Sequence, residues 1–483
     1  MAPLWHQIQA DEATGGQSSA NWSAMGISID SRTTKPDDLF VALVGPNNDG
    51  HDYIEKAAEM GASAALVDIA HANNLAKASI PLLIVDDTTQ GLVDLAKAAR
   101  ARSSAKIVAI TGSVGKTGTK EGLACAFSEL GTVHATEGNL NSQIGLPLML
   151  ARMPKNTQYG IFELGMDHAG QIERLSNILR PHVAVITTVQ PVHMEFFEGI
   201  DGIADAKAEI FKGLVKGGVA ILQREHPMFH HLRARARDCG VEFNNIISFG
   251  AHRDADVKLI RHCLDADGSD VTAIINDKTI EYRLGVPGEH QVINSLAILA
   301  VVSEISENAT DAIKALATVQ PLKGRGQRTI IELQGGGQLS IIDESYNASP
   351  AAMRAALKVL ENTPTGKDGR HIAVLGDMLE LGESARKIHE SLASDIIKNK
   401  IDLVFTTGPN MAYLSASIPE NLRGHHAKDS IGLIRPLIDV VKDGDVAMIK
   451  GSLGSRMAPI VDALLQLDTP ANGNKQEGHI NAV

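Results

Sequence analysis

A glycine-rich segment between an apolar run and a helical pattern carries the strongest chemical signal in the sequence. In IVAITGSVGKTGTKEGL, the turn contains Gly112, Gly115, Lys116 and Thr117. Backbone N–H groups of such a turn can face a triphosphate, the lysine can reach its outer phosphates, and the hydroxyl can bind Mg²⁺. The strict phosphate-loop pattern has a glycine where Ile110 stands, so we predict a shortened variant of that loop.

The loop by itself leaves the class of nucleotide enzyme open, because GTPases, kinases, transport ATPases and ligases all use such loops. An ordinary glycine-rich turn with an exposed lysine is the alternative that involves no nucleotide. The tetrapeptide Asn399-Lys400-Ile401-Asp402 matches the NKxD pattern with which GTPases bind guanine. In open sheets, ligand-binding residues follow the C-terminal ends of strands, whereas this tetrapeptide follows a helical pattern and precedes the strand LVFTTG. We therefore predict no guanine site.

Two candidate metal ligands follow predicted strands near the loop. Glu163 ends the run YGIFE, and His193 follows the next strand in TTVQPVHMEFF. Either residue alone is as readily a capping carboxylate or a loop histidine, but three strand ends that converge on one crevice favour a nucleotide and metal site. By contrast, Lys207 lies in the helical pattern GIADAKAEIFKGL, where the residue type predicts a solvated surface lysine.

Parallel strands are needed to bring these residues to one edge of a sheet. Most of the chain alternates short β-branched runs with helical patterns, which is typical of α/β folds. At 483 residues the chain is long enough for about three domains. We predict a first domain at 1–103, a central domain at 104–326, a third domain at 327–468, and a disordered tail at 469–483.

The three predicted domains differ in their strand patterns. The central domain has the pattern of a doubly wound nucleotide-binding sheet, and its runs 270–276 and 278–284 lie so close together that they predict antiparallel pairing. Helices are predicted at 91–102 and at about 290–305, and KGRGQR at 323–328 predicts a hinge. The acid-terminated run IIDES lies more than 200 residues after the loop, so we assign it to a second parallel sheet in the third domain. The other predicted strands are 39–44, 64–69 and 82–87 in the first domain; 106–110, 159–165, 182–189 and 218–223 in the central domain; and 339–345, 371–377, 402–408 and 445–451 in the third.

Charge and cysteine content exclude several kinds of partner. The formal net charge is −12 with acidic residues spread along the chain, so we predict no nucleic-acid partner. The isolated cysteines Cys125, Cys239 and Cys263 indicate a reducing compartment and offer no zinc spacing, and we expect them to be buried thiols. The N-terminus has no basic segment followed by an apolar core, and no apolar run reaches about 18 residues. We therefore predict a cytoplasmic protein without membrane insertion.

The motifs, taken in order, resemble those of the Mur ligases along nearly the whole chain. DESYNASP and GDMLELG are similar to the MurF branch, whereas the diaminopimelate-adding branch would have a DNPR motif that is absent here. Folylpolyglutamate synthetases share the central domain but lack a first domain of this kind. The motifs are DSRTTKPDDLFVAL and DGHDYI in the first domain; GSVGKT, EGNLNSQIGLPL, ELGMDHAGQI, HMEFFEGIDGIADAKAEIF, GEHQVINSLAILA and GRGQR in the central domain; and DESYNASPAAM, GDMLELG and KGSLGSRM in the third.

The resemblance implies a small α/β UDP-substrate domain, a central P-loop-type ATPase and a Rossmann-like third domain that closes over the site. It implies an ATP-dependent ligase that uses Mg²⁺ and adds D-alanyl-D-alanine to UDP-N-acetylmuramoyl-tripeptide through an acyl phosphate. We expect a monomer with mobile domains. The product would be the pentapeptide precursor of peptidoglycan. The alternatives are a ligase for another amine and a catalytically silent paralogue, but the loop lysine and candidate metal ligands that a silent paralogue would lose are all present.

The resemblance also implies roles for individual residues. Lys207 is expected to be carbamylated by carbon dioxide into an anionic, metal-bridging group. The implied catalytic residues are Lys116, Lys207 and His193, and the implied metal ligands are Thr117, Glu163, His193 and Lys207. The implied nucleotide-binding residues are Gly112, Ser113, Val114, Gly115, Lys116, Thr117, Asn294, Arg325 and Asp343. The implied substrate-binding residues are Ser31 and Arg32 at the UDP group, Asn139, Asn141 and Ser142 along the muramoyl peptide, and Tyr346 and Asn347.

Two positions depart from the family pattern. Gly118 stands where the family loop commonly has threonine, and it lowers helix propensity by up to about 1 kcal/mol. Ala458 stands where a glutamate is expected, so the nearby Lys450, Ser452 and Arg456 receive no role from the resemblance.

Overall fold

The computed structural model describes residues 2–75, 77–191, 196–307, 309–334 and 336–468. Its strands form four sheets, with two, five, nine and six strands, and helices cover the larger ones, which confirms the predicted α/β class. No helix in the described part of the chain has both the length and the apolarity to cross a membrane. The predicted tail at 469–483 and the candidate ligand His193 lie outside the described residues.

The first domain is a small α/β unit. Its strands are β1 (Trp5–His6), β2 (Gln17–Ser18), β3 (Ser23–Ala24), β4 (Gly26–Ser28), β5 (Asp38–Val41), β6 (Ala64–Asp68) and β7 (Leu82–Val85), and its helices are α1 (Gln7–Thr14), α2 (Ile54–Glu59), α3 (Ile69–Ala72) and α4 (Thr88–Ala101). The main sheet has the order β2-β7-β6-β5-β4, in which only β2 is antiparallel to its neighbour.

The three strands predicted here are confirmed, although each ends one to three residues earlier than predicted. Helix α4 begins before residue 91 because the Asp87 carboxylate caps it by accepting from Gln90 N.

The central domain is built around the nine-stranded sheet, in the order β16-β15-β14-β13-β12-β11-β8-β10-β9. Its strands are β8 (Lys106–Thr111), β9 (Val133–Ala135), β10 (Tyr159–Glu163), β11 (Val183–Ile186), β12 (Val219–Gln223), β13 (Ile246–Gly250), β14 (Val257–Leu264), β15 (Ser269–Ile275) and β16 (Lys278–Leu284). Its helices are α5 (Lys116–Ser128), α6 (Gly145–Ala151), α7 (Gln171–Leu179), α8 (Gly199–Ala208), α9 (Phe229–Asp238), α10 (Glu289–Ile305) and α11 (Ala309–Lys314). Strands β9 to β14 and β8 run parallel, and β15 and β16 add antiparallel pairs.

The strand order places β8 at the point where the chain changes direction in the sheet. After β8 the chain builds β9 and β10 on one side, and it then crosses to β11 on the other side. A crevice forms outside the carboxyl end of a strand at such a point, and ligands of open α/β sheets bind there. The phosphate loop leaves β8 at this crevice.

The antiparallel pairing of β15 and β16 is confirmed. Their two-residue connection has φ of 49° at Asn276 and 58° at Asp277. Positive φ at both residues suits a tight hairpin, because that turn follows the twist of the paired strands, and asparagine and aspartate tolerate the left-handed region.

The third domain is built around the six-stranded sheet, in the order β17-β18-β22-β19-β20-β21. Its strands are β17 (Gln327–Glu332), β18 (Gln338–Glu344), β19 (His371–Gly376), β20 (Leu403–Thr407), β21 (Arg423–Ala427) and β22 (Val446–Lys450), and its helices are α12 (Pro350–Asn362), α13 (Ala385–Lys398), α14 (Met411–Ser417), α15 (Ile431–Ile438) and α16 (Ala458–Leu465). The predicted second parallel sheet is confirmed, with β17 as an antiparallel edge strand. The NKxD tetrapeptide lies between α13 and β20, as predicted.

The predicted hinge connects the last two sheets. Gly324 and Gly326 have φ of 76° and 93°, so the chain reverses here through conformations that favour glycine. The last two residues of the predicted segment, Gln327 and Arg328, already belong to β17. The domain boundaries themselves remain predictions.

The expectation that the cysteines are buried is wrong for two of them. All three are free, and Cys239 and Cys263 are exposed while Cys125 is half-buried. Cys239 ends α9 at its C-cap, and Cys263 lies on an exposed face of β14. Sequence spacing carried no information on which face of these elements meets solvent.

Candidate functional site

Two glycines with positive φ shape the phosphate loop between β8 and α5. The angle is 149° at Gly112 and 86° at Gly115, values that residues with a Cβ rarely adopt. A Cβ at Gly112 would collide with the Thr187 hydroxyl, and one at Gly115 would lie 2.8 Å from the amide of Asn294. Both positions therefore require glycine, which explains the spacing seen in the sequence.

Hydrogen bonds fasten the loop to the segment that follows β11. Ser113 N donates to Thr188 O at 2.8 Å, and Ser113 Oγ donates to Gln190 O at 3.1 Å. Gln190 N donates to Ser113 Oγ at 2.8 Å, and Thr187 Oγ1 donates to Val114 O at 2.6 Å. Sequence reasoning missed Thr187, Thr188 and Gln190 as determinants of the loop. The available signal was the segment TTVQ, in which three of four residues are polar, directly after an apolar strand.

The Lys116 side chain folds back on the loop, where Nζ donates to Gly112 O at 2.7 Å. Loss of water around the ammonium group lowers the pKa of Lys116, while Glu163 opposes that shift and Arg325 adds to it. An anionic phosphate placed here would relieve the repulsion between the lysine and the arginine.

Glu163, the last residue of β10, connects the phosphate loop to the segment after β9. Its Oε2 accepts from Thr117 Oγ1 at 2.9 Å, and its Oε1 accepts from Asn141 Nδ2 at 2.8 Å. Glu163 and Thr117 are buried. The fold thus brings together three residues that the sequence placed at separate points of the chain. Hydroxyl and carboxylate oxygens are ligands that Mg²⁺ prefers.

Lys207, near the C-terminal end of α8, is buried with only 3% of its surface exposed. The prediction of a solvated lysine from residue type alone is therefore wrong. Burial lowers the pKa of Lys207 well below its ordinary value, and the nearby Lys116 lowers it further. Its ammonium group therefore loses a proton more readily than that of an exposed lysine.

A carboxylate two residues after Lys207 holds that end of α8 in place. Glu209 Oε1 accepts from Gly170 N at 2.6 Å, and Glu209 Oε2 accepts from Glu173 N at 3.1 Å, so Glu209 caps the N-terminus of α7 from a different element. Ser176 Oγ on the same helix donates to Ile210 O at 2.6 Å. The turn after Lys207 is therefore anchored along α7. The sequence alone did not indicate that Glu209 caps α7, because its partners Gly170 and Glu173 lie more than 30 residues earlier in the chain.

A cavity of about 580 Å³ lies between the central and third domains, within the usual range for ligand sites. Its floor is the phosphate loop, one wall is the start of α10, and the other wall comes from the hinge and the third domain. The predicted site residues that line it are Ser113, Val114, Gly115, Lys116, Thr117, Glu163, Asn294, Arg325 and Asn347. Lining residues without a predicted site role include Thr187, His290, Gln291, Glu344 and Lys450.

The departure at Gly118 has a local explanation. Gln291 Oε1 lies 3.2 Å from the place where a Cβ at residue 118 would stand, and both residues line the cavity. The space left by the missing side chain is thus occupied by an amide from α10.

The hinge and the third domain present charged groups to the cavity. The Arg325 guanidinium stacks 4.1 Å above the Tyr346 ring. Lys450 Nζ, which is buried, donates to Glu344 Oε2 at 2.9 Å and to Asn347 O at 3.0 Å. These contacts position the cavity-facing residues of the third domain relative to one another.

Asp343 does not line the cavity. Its carboxylate accepts from Gly324 N at 2.9 Å and from Ser345 N at 3.1 Å, and its backbone oxygen accepts from Gly326 N at 2.8 Å. Asp343 therefore ties the two hinge glycines to the end of β18.

The residues predicted at the UDP group and the muramoyl peptide also lie outside the cavity. Among them, Asn141 contacts a residue that lines it, Glu163. Ser31 is buried in the first domain, whereas the Arg32 side chain is exposed and pairs with Asp30 at 2.7 Å. Asn139 O accepts from Asn141 N at 2.7 Å, and Ser142 Oγ accepts from the first residue of α6 at 3.2 Å.

Three family models match segments that together cover most of the chain. They are "Mur ligase family, catalytic domain" at residues 24–100, "Mur ligase middle domain" at 110–302 and "Mur ligase, glutamate ligase domain" at 324–453. Among curated proteins, the chain is 33% identical over 460 residues to the UDP-N-acetylmuramoyl-tripeptide–D-alanyl-D-alanine ligase of Rickettsia prowazekii (strain Madrid E), which covers 95% of this chain and 99% of that protein.

Solved structures agree with the sequence comparison. A crystal structure of MurF from Acinetobacter baumannii matches with a TM-score of 0.82 and 29% identity, covering 96% of this chain and all of that one. MurF ligase from Thermotoga maritima in complex with ADP matches with a TM-score of 0.76 and 27% identity, covering 92% of this chain and 97% of that one.

Proposed function

The chain belongs to the Mur ligase family, and we propose that it is an ATP-dependent ligase that joins D-alanyl-D-alanine to UDP-N-acetylmuramoyl-tripeptide. The observation that carries the proposal is the hydrogen-bonded line Asn141–Glu163–Thr117, which runs from the segment assigned to the muramoyl peptide into the phosphate loop. It occurs in a chain that matches such ligases over nearly its whole length. Nucleotide and acceptor carboxylate would meet at this line.

The nucleotide proposed for the cavity is ATP. Lys116, Arg325 and the loop amides supply positive charge and N–H donors at one end of a cavity large enough for a nucleotide. The related Thermotoga maritima ligase was solved with ADP. Asn294 lies against Gly115 and lines the same wall.

Activation of the carboxylate is the chemical problem that ATP solves. A free carboxylate is a poor acylating agent, so its oxygen attacks the γ-phosphorus, the bond to the β–γ bridging oxygen breaks, and ADP leaves from an acyl phosphate. The amine of D-alanyl-D-alanine then attacks the acyl carbon, phosphate leaves from the tetrahedral intermediate, and the amine proton is lost. Lys116 and the loop amides neutralise the charge on the transferring group.

The oxygen donors around Thr117 and Glu163 fit Mg²⁺, because a buried hydroxyl and a buried carboxylate meet at 2.9 Å beside the phosphate loop. When bound there, the ion would neutralise phosphate charge. His193 is proposed as a further ligand on the resemblance alone.

A carbamate on Lys207 would resolve a conflict of charges. Burial and the nearby Lys116 both lower the pKa of Lys207, which favours the neutral amine, the form that adds to carbon dioxide. The addition forms an N–C bond, releases one proton and leaves an anionic carboxylate group. That group would attract Lys116 and act as an oxygen donor for a cation.

The proposed substrate sites extend from this centre to both outer domains. Ser31 and Arg32 are proposed at the UDP group, Asn139, Asn141 and Ser142 along the muramoyl peptide, and Tyr346 and Asn347 near the dipeptide and nucleotide, with Asp343 as a support of the hinge and the nucleotide edge. The enzyme is proposed to act in the cytoplasm as a monomer.

The test is phosphate release from ATP and Mg²⁺ with UDP-N-acetylmuramoyl-tripeptide, with and without D-alanyl-D-alanine, followed by mass analysis of the product. We expect release that depends on both substrates and a pentapeptide product. Phosphate release with a different amine would show that the protein is a ligase with another substrate. Absence of phosphate release with either substrate would indicate a catalytically silent paralogue.

A further inference from the structure

A cluster of two histidines and two aspartates lies in the first domain, away from the nucleotide cavity. Asp49 and His51 follow β5, and Asp68 is the last residue of β6 with His71 three residues later. Because β5 and β6 are neighbouring parallel strands, all four side chains meet outside the carboxyl ends of the sheet. Open α/β sheets bind ligands at such an edge.

The side chains converge closely. His51 Nδ1 lies 2.6 Å from Asp49 Oδ1, and His71 Nε2 lies 3.3 Å from Asp49 Oδ2. The two imidazole rings stack with centroids 4.0 Å apart. One ligand atom from each of Asp49, His51 and His71 lies within 4.8 Å of the others. A single ion could therefore reach two nitrogens and a carboxylate with small side-chain rotations.

The fourth residue is placed as an outer partner of both histidines. Asp68 Oδ1 lies 2.7 Å from His71 Nδ1, which leaves His71 Nε2 directed towards Asp49. Asp68 Oδ2 lies 3.7 Å from His51 Nε2. Histidines that bind metals usually donate their other N–H to a carboxylate, which fixes the tautomer and orients the ring. Asp68 stands in that position for His71, whereas His51 Nε2 accepts from the backbone N of Asp68 at 3.2 Å.

We propose that Asp49, His51 and His71 form a binding site for a divalent transition-metal ion such as Zn²⁺, with Asp68 as the outer carboxylate. Imidazole nitrogen favours Zn²⁺ and its neighbours in the series over Mg²⁺ and Ca²⁺, which prefer oxygen donors. For His51 Nδ1 to bind the ion, the proton on that nitrogen moves to Nε2. Nε2 then gives up the hydrogen bond from Asp68 N and turns towards Asp68 Oδ2, which lies 3.7 Å away. The side chains of Asp49 and His71 are 30% and 37% exposed, so the ion can enter and keep a position for water.

The experiment uses the full chain, stripped of metal with a chelator and titrated with Zn²⁺ in excess Mg²⁺ and without nucleotide. Excess Mg²⁺ occupies the oxygen donors of the nucleotide site, so that Zn²⁺ reports the histidine cluster. We expect one equivalent of Zn²⁺ to bind the natural chain and none to bind His71→Gln. Asp68→Asn should weaken binding by about 10- to 100-fold, as loss of an outer carboxylate does elsewhere.

His252→Gln is the matched control. His252 has the same side-chain exposure as His71, 37%, and also faces an aspartate, Asp254 at 3.8 Å, but its contacts in the described part of the chain include no second histidine. It should keep the full equivalent of Zn²⁺. His51 is left unchanged because it is buried.

Electron paramagnetic resonance of the natural chain with Cu²⁺ gives a readout that needs no variant. Nitrogen hyperfine splitting from two imidazoles is expected at one equivalent. Absence of Zn²⁺ binding in the natural chain, or equal binding in His71→Gln, would overturn the proposal and leave the cluster as a hydrogen-bonded tie between two loops.

Discussion

The first domain meets the central domain through packed apolar side chains, whereas the third domain meets it across a cavity. At the first junction, one continuous core contains Trp5 and Leu95 from the first domain and Met149 and Leu175 from the central domain. At the second, the apolar cores of the third domain contain no residue of the central domain among those the structure describes. The two junctions therefore differ in what holds them together.

Polar contacts follow the same division. Trp5 Nε1 donates to Ala151 O at 3.0 Å, Arg100 Nε to Leu179 O at 2.7 Å and Arg152 Nε to Ile27 O at 2.7 Å, all across the first junction. Across the second, Arg328 reaches the exposed Asp267 at 3.5 Å and Lys323 reaches the exposed Asp462 at 3.8 Å, in addition to the bonds of Asp343 to the hinge glycines. The first two domains are therefore joined by one continuous core, whereas the third is joined by its hinge and by exposed ion pairs; we propose that the third domain closes on the cavity about that hinge. Mutations should therefore affect stability at the first junction and chemistry at the second.

The largest effect is expected at the floor of the second junction. Lys116→Ala should lower the rate of phosphate release by about 10²- to 10³-fold or more, because it removes a preorganised positive charge from the transferring phosphate. The free energy of unfolding should not fall, since the lysine is desolvated and repelled by Arg325. Lys212→Ala, which removes an exposed lysine paired with Glu173, is the control and should keep its rate. A Lys116→Ala enzyme with most of its activity would remove the loop lysine from the mechanism.

Lys207→Ala should also lower turnover, by about 10²-fold or more if the carbamate is a metal ligand. Short carboxylic acids should restore part of the lost rate, because they can occupy the space of the removed side chain and supply oxygen donors. The rate is measured against acetate and formate concentration, with Lys116→Ala as the comparison that should not respond. Absence of any rescue would count against the carbamate.

At the first junction, Leu95→Ala should lower the free energy of unfolding by about 2–5 kcal/mol, because it opens a cavity in the shared core. Urea unfolding measures the change, and phosphate release per folded molecule should stay the same. Ile8→Ala serves as the control, since Ile8 lies in the same domain with 66% of its surface exposed. Equal destabilisation by the two substitutions would contradict a core that spans both domains.

Glu209→Ala should lower stability by about 0.5–2 kcal/mol, because α7 loses its cap. The same change should raise the Mg²⁺ concentration needed for half-maximal activity, since the end of α8 that carries Lys207 loses its anchor. Glu209→Gln keeps one acceptor oxygen and should recover part of both effects. An unchanged Mg²⁺ requirement in Glu209→Ala would restrict Glu209 to a structural role.

The smallest effect concerns pH at the first junction. Burial, assisted by Arg100 and Lys106, lowers the pKa of His182 to about 4, and its Nδ1 accepts from Ile107 N at 2.9 Å. The unfolded chain takes up the proton near its ordinary value of 6.5, so stability is fully present above that pH and is lost as the pH falls towards 4. The ring is half-buried, so screening should limit the change to about 1 kcal/mol.

Urea midpoints at pH 7 and pH 5 measure this dependence. His182→Asn keeps an acceptor for Ile107 N but does not titrate, so its stability should change less between the two pH values. An equal change in both proteins would assign the pH dependence to other groups.

Most strands of the three sheets were predictable because their apolar, β-branched runs are local signals. The strands that were missed, such as β14 and β21, carry exposed and charged residues, and β21 has four exposed residues among its five. Such segments become strands only because a neighbour in the sheet supplies hydrogen-bond partners. The position of Glu163 at a strand end was predictable, whereas its bonds to Thr117 and Asn141 were not.

We could predict the phosphate loop, the α/β class and the family from the chain alone, because glycine spacing, apolar periodicity and the order of motifs are local or sequential properties. The fold was needed to show that Lys207 is buried beside Lys116, that Glu209 caps α7 and that Asp49, His51, Asp68 and His71 meet at one sheet edge. Burial, capping and convergence depend on which distant segments pack together. A residue's type and its neighbours in sequence do not contain that information.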